Sequence, residues 1–142
     1  MSANVSPADA LVGRSREALS ALALQFLLGM GANLVGSPEE NHGGGEVVAV
    51  ILLSLHGLVG IGLIVVAVRA WTAARRHHLA ERTALWAFIV IILTFLAGVG
   101  TMITDSGWLS FAMSVGFVVA AALYIGVGAA ALTRQRVAAA AG

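Results

Sequence analysis

Val47–Val68 reads VVAVILLSLHGLVGIGLIVVAV, an unbroken apolar run with one imidazole, His56, near its centre. The run holds about 20 residues, the length at which an α-helix crosses a ~30 Å hydrocarbon core. Its apolar residues do not alternate, which argues against a strand of a membrane barrel. The charged residues that bracket it are Glu46 and Arg69.

Three further runs have the same character: Ala18–Gly36, Thr83–Thr104 and Trp108–Leu132. Across the 142 residues, 59% are hydrophobic and 11% charged, and the mean hydropathy is +0.94. A soluble domain carries about 25% charged residues, so most of this apolar surface needs lipid as its solvent. In lipid the backbone must satisfy its own polar groups, and continuous apolar runs do so as helices. The expected fold is an all-α, integral membrane four-helix bundle. It is one domain over 1–142, with spans at about 18–36, 47–68, 83–104 and 108–132.

The charges give an orientation. All eight basic residues are arginines. Arg14 and Arg16 precede the first run. Arg69, Arg75, Arg76 and Arg82 lie between the second and third, and Arg134 and Arg136 follow the fourth. The other two connections hold Glu39, Glu40, Glu46 and Asp105. The positive-inside rule then predicts both termini in the cytoplasm, in a cytoplasmic (inner) membrane. The first run exceeds the 7–15 residues of a signal-peptide core, and no A-x-A-like site follows it, so it is read as a retained span. Before it, Ser6-Pro7-Ala8-Asp9 predicts a helix start, with Ser6 as cap and Pro7 in the first turn. PEENHGGG, 38–45, reads as a flexible loop, 69–82 as a basic connection, and Asp105–Gly107 as a very short turn. Trp71 and Trp86 suit one membrane interface and Trp108 the other.

Polar residues inside the spans recur at helical spacing. Gln25, Gly29 and Asn33 form such a row. So do Ala49, His56, Gly60 and Ala67 in the second span, and Thr94, Ala97, Gly98, Thr101 and Asp105 in the third. Ser110, Ser114, Ala121 and Tyr124 form the row of the fourth. Facing one another, these rows predict a polar outward-facing pocket of His56, Gln25, Asn33, Thr94, Thr101, Asp105 and Ser114, closed below. Two rows of small residues in the fourth span, Ala112-Gly116-Ala120 and Ala122-Gly126-Ala130, suit close helix packing, within the bundle or in a homo-oligomer.

Ionisable groups inside membranes are rare and usually functional. His56 has three readings. It is a neutral imidazole held by Gln25 or Thr94, an axial haem ligand, or a site for a proton, an ion or a small lipid-like molecule. As a haem ligand it has Gly57 and Gly60 beside it, and Met30, Met102 or Met113 as a second axial ligand. The other histidines, His42 among Glu39, Glu40 and Glu46, and the pair His77-His78, suit a loose oxygen–nitrogen cluster and contact with anionic headgroups, respectively. With no cysteine, thiolate metal sites and disulfides are excluded. No phosphate-binding loop, zinc-protease or serine-hydrolase motif is present, and no nucleophile–base pair stands out. The arginines are accounted for by topology, so nothing points to nucleic acid.

Four spans and an intramembrane histidine resemble small four-helix membrane cytochromes of the b type, which implies haem binding and electron transfer. Those proteins carry paired histidines on several spans, and here His56 stands alone within a span. The composition, rich in Ala, Val and Gly with arginine in place of lysine, is also similar to small four-span proteins of GC-rich bacteria. The functional expectation is a non-enzymatic membrane subunit or binding module around His56, with the haem protein as the alternative.

Overall fold

The computed structural model describes residues 6–141, apart from the side chain of Glu40. Helix α1 (Pro7–Val35) begins as the sequence predicts. Ser6 is extended, its Oγ accepts from the Asp9 backbone N–H, and Pro7 occupies the first turn. Helices α2 (Gly44–Arg76), α3 (Glu81–Thr104) and α4 (Gly107–Ala140) follow, with a short 3-10 turn at Pro38–Glu40. Each is long and apolar enough to cross a membrane, and the described residues contain no strand. The protein is a multi-pass helical membrane bundle. Each helix packs on its chain neighbours, and α4 closes the ring on α1.

Helix boundaries differ from the apolar runs at three places. The glycine-rich loop is shorter than expected, because Gly44 and Gly45 already belong to α2; Gly43, at φ +63°, makes the bend before it. The basic connection is largely helical. Ala-rich RAWTAARR continues α2, and its last two arginines complement the negative helix end. A Schellman arrangement then stops it. Leu79 N–H donates to the Ala74 carbonyl and His78 N–H to that of Arg75, with His78 left-handed at φ 49°. The tail after Leu132 is also helix, to Ala140.

Buried positions reveal the seam. In α1 they are Ala8, Leu11, Ser15, Ala18 and Leu22, alternating by three and four residues. In α2 the same alternation runs through Gly60, Leu63, Ala67, Ala70 and Ala74. Ala84, Ala87 and Ile91 continue it in α3, and Ala120, Tyr124, Val127 and Ala131 in α4. A 3.5-residue period is the signature of left-handed, coiled-coil-like packing. Tyr124 is fully buried in a cluster with Ala18, Ala67 and Ala87. One large ring thus occupies the space that three alanines leave, as close packing requires.

Apart from Ala49, these buried residues run from mid-bundle, at Leu22, Gly60, Ile91 and Ala120, into the half that carries the termini and the α2–α3 connection. This half, called here the arginine end, is tight. The opposite, acidic end is looser. There Leu34, Ile103 and Trp108 are about 80% exposed, as suits side chains that meet lipid.

Candidate functional site

Extending the seam toward the acidic end brings polar residues into the interior. In α1 the next positions are Gln25 and Gly29, and in α2 His56 precedes Gly60. Gln25 Nε2 stands 3.0 Å from His56 Nε2. An amide NH2 only donates, so the ring nitrogen accepts and the imidazole is the neutral Nδ1–H tautomer. Rotating the amide by half a turn would reverse the roles, with His56 Nε2–H donating to Oε1. Either way one bond joins the two side chains.

Glycines shape the space around this pair. A methyl at Gly29 would lie 3.0 Å from Cε1 and 3.3 Å from Nδ1 of His56, and one at Gly60 would lie 3.4 Å from Gln25 Nε2. The bare backbone at Gly29 is what lets the ring lie this close to α1, while Gly60 leaves the amide in ordinary contact. His56 Nδ1 and Gln25 Oε1 are both buried without a hydrogen-bond partner. In hydrocarbon such atoms are costly, since no water completes their bonding. The pair is one donor and one acceptor short.

The remaining residues of the sequence-predicted pocket disperse. Thr94 lies on the α3 seam but faces α4: its hydroxyl abuts Gly116, with Cβ 3.2 Å from where a methyl there would sit. It lies on a membrane-side groove of about 470 Å³ between α3 and α4, with Trp108 and Phe111 at one end. Thr101 Oγ1 donates to the Ala97 carbonyl and Ser114 Oγ to that of Ser110, so both hydroxyls are spent on their own helices. Asn33 and Ser114 are exposed. For Asn33 the reason is geometric. Steps of four advance 400°, so Gln25-Gly29-Asn33 drifts off a seam that alternates threes and fours. Asp105 is exposed in the α3–α4 turn, where it caps α3 in the left-handed region at φ 49°.

Two further unpartnered hydroxyls lie on the seam of the arginine half. Ser15 Oγ and Tyr124 OH are buried without partners, and Ser15 sits over Gly128. Sequence reasoning missed Ser15 because the apolar run starts at Ala18. The Leu11–Ser15–Ala18–Leu22 spacing was the available signal.

The residues do not fit a haem as arranged. The ring nitrogen that would bind iron, Nε2, is engaged by Gln25, and Gly29 approaches the other side of the ring. Met30 is off the seam and 46% exposed, and Met102 is 68% exposed. Met113 sulfur lies against Gly98, in the α3–α4 contact. Among the described residues, no group of three or more His, Asp or Glu side chains comes together.

At the arginine end, Glu17 joins α1 to α2. It accepts from Arg14 at 2.7 Å and from Arg69 at 3.3 Å. Trp71 stacks on Phe88 at 5.5 Å and 7°, and Arg75 lies 5.9 Å above its ring. Fold and site together define a helical multi-pass membrane protein with a polar pair at mid-span. No family model matches this chain, and no curated protein or solved structure matches it.

Proposed function

We propose that the protein is a non-enzymatic membrane binding module, or a subunit of a larger membrane assembly, centred on Gln25 and His56. The observation that carries this is the pair's unpartnered donor and acceptor in the less tightly closed half of the bundle. A small neutral molecule offering one acceptor and one donor would complete both bonds. Charged ligands find no counter-ion on the seam at this depth. In this reading the termini and arginine end are cytoplasmic, in an inner membrane, and the acidic end faces out.

The chain has no cysteine, so single introduced thiols report cleanly. We expect a membrane-impermeant maleimide added to whole cells to label Glu39→Cys strongly and Arg75→Cys only after lysis. A small charged thiol reagent should modify His56→Cys slowly but measurably from outside, and Thr101→Cys faster. Strong external labelling at position 75 would refute the orientation. Complete protection at position 56 until the bundle is unfolded in detergent would make the pair a sealed packing layer, and the binding reading would fall.

A further inference from the structure

The arginine end carries all eight arginines against Asp9, Glu17 and Glu81. Glu17 engages Arg14 and Arg69, and Asp9 accepts from Ser6 and Gln135. Glu81 lies 3.9 Å from His78. Among the described residues, Arg134 has no acidic partner within 4 Å. It lines a groove of about 490 Å³ where the end of α4 passes the α2–α3 connection, together with Leu79, Ala130, Thr133, Val137 and Ala141.

Depth identifies what meets this groove. If Trp108 marks one interface, ~20 residues of helix bring the chain across the ~30 Å core by about position 128. Ala130 then lies at the hydrocarbon boundary, and Arg134 about 6 Å beyond it, at the level of lipid phosphates. The groove has apolar walls at the boundary and an uncompensated guanidinium just past it. A guanidinium binds phosphate through paired N–H donors. Thr133 is less available, since its hydroxyl donates to the Ala129 carbonyl.

We infer that this groove binds the headgroup of an anionic phospholipid, with the phosphate on Arg134 and the upper acyl chains along Leu79 and Ala130. The inference does not depend on the His56 reading. The local positive excess selects an anionic lipid over a zwitterionic one.

The test uses the full chain in a neutral detergent, titrated with phosphatidylglycerol or with phosphatidylcholine, reading bound lipid by native mass spectrometry. Phosphatidylglycerol should bind in preference to phosphatidylcholine. Arg134→Gln should weaken that binding about five-fold, the effect of one arginine near a membrane surface. Arg76→Gln, at the end of α2 and outside the groove, should change it by less than half as much. Equal retention of both lipids would overturn the inference. So would equal losses in the two variants, which would mean diffuse attraction with no site. Competition by inorganic phosphate at millimolar concentration would also overturn it, by showing an anion site that does not need lipid. Circular dichroism of both variants should match the parent; if Arg134→Gln is misfolded, Arg134→Lys, which keeps the charge without the paired donors, should bind more weakly than both the parent and Arg76→Gln, and parent-like binding would overturn the phosphate geometry.

Discussion

Gly116 and Gly126 lie in one helix, face the same neighbour, and should respond to the same substitution in opposite directions. A methyl at Gly116 would run into the Thr94 hydroxyl and sit 3.2 Å from its Cβ, while a methyl at Gly126 would make an ordinary 3.6 Å contact with Thr83 Cγ2. Replacing glycine by alanine inside a helix gains up to ~1 kcal/mol of backbone propensity at either site. At Gly116 overpacking opposes that gain by ~1–3 kcal/mol, because Thr94 must leave its rotamer or α3 and α4 must separate. The propensity gain cancels between the two variants, so Gly116→Ala should be ~1–3 kcal/mol less stable than Gly126→Ala. Reversible unfolding in mixed detergent micelles, followed by tryptophan fluorescence, measures this. A double-mutant cycle assigns the cause: Thr94→Ala should restore most of the loss in the Gly116→Ala background and change the parent little. Equal stabilities for the two alanine variants would refute the reasoning, and so would a Gly116→Ala deficit that Thr94→Ala leaves untouched. Both glycines also fall in the small-residue rows that suit helix association, and their neighbours here are Thr94 and Thr83 of the same chain.

Two further outcomes follow from the polar contacts. Gln25→Leu leaves both ring nitrogens of His56 unpartnered, and should cost about the ~0.6–1.7 kcal/mol of an interhelical membrane hydrogen bond. Adding His56→Leu should recover that loss, and a double variant weaker than the single one would show that the ring does more than fill the seam. Glu17→Gln removes the negative charge from two part-exposed pairs, so the loss should stay below ~1 kcal/mol and shrink in high salt; a larger, salt-independent loss would place the pairs in a drier setting than their exposure indicates.

Length and hydropathy made the four helices legible, because hydrocarbon leaves the backbone few alternatives. The Ser6 cap and the short α3–α4 turn were legible from local residue chemistry. The helical ends were not, since arginines and other polar residues interrupt the apolar runs over 69–76 and 133–140; helix propensity of Ala and Arg was the better guide. Of the site, the Gln25–His56 contact was readable from equal depth and shared period. Thr94 was misdirected because depth fixes a level and not a direction. It lies at the right height, yet its side chain turns to Gly116. Asn33 was misplaced by counting in fours where the helices repeat in sevens, an error that grows with distance from the tight end; Ser114 sits off the Ala120–Tyr124 seam, exposed, with its hydroxyl on the Ser110 carbonyl.

That uneven tightness has a mechanical side. With the alanine-rich layers gripping at one end and both short turns at the other, the two helical hairpins form a pair of forceps with its pivot among Leu11, Ala74, Ala84 and Ala131. A tilt of about 5° at the pivot carries tips ~30 Å away through ~2.6 Å, close to the diameter of a water molecule. The imidazole sits partway along one arm, where the same tilt is worth about half as much, and its contacts with Gln25 and Gly29 lie within that hairpin and travel with it.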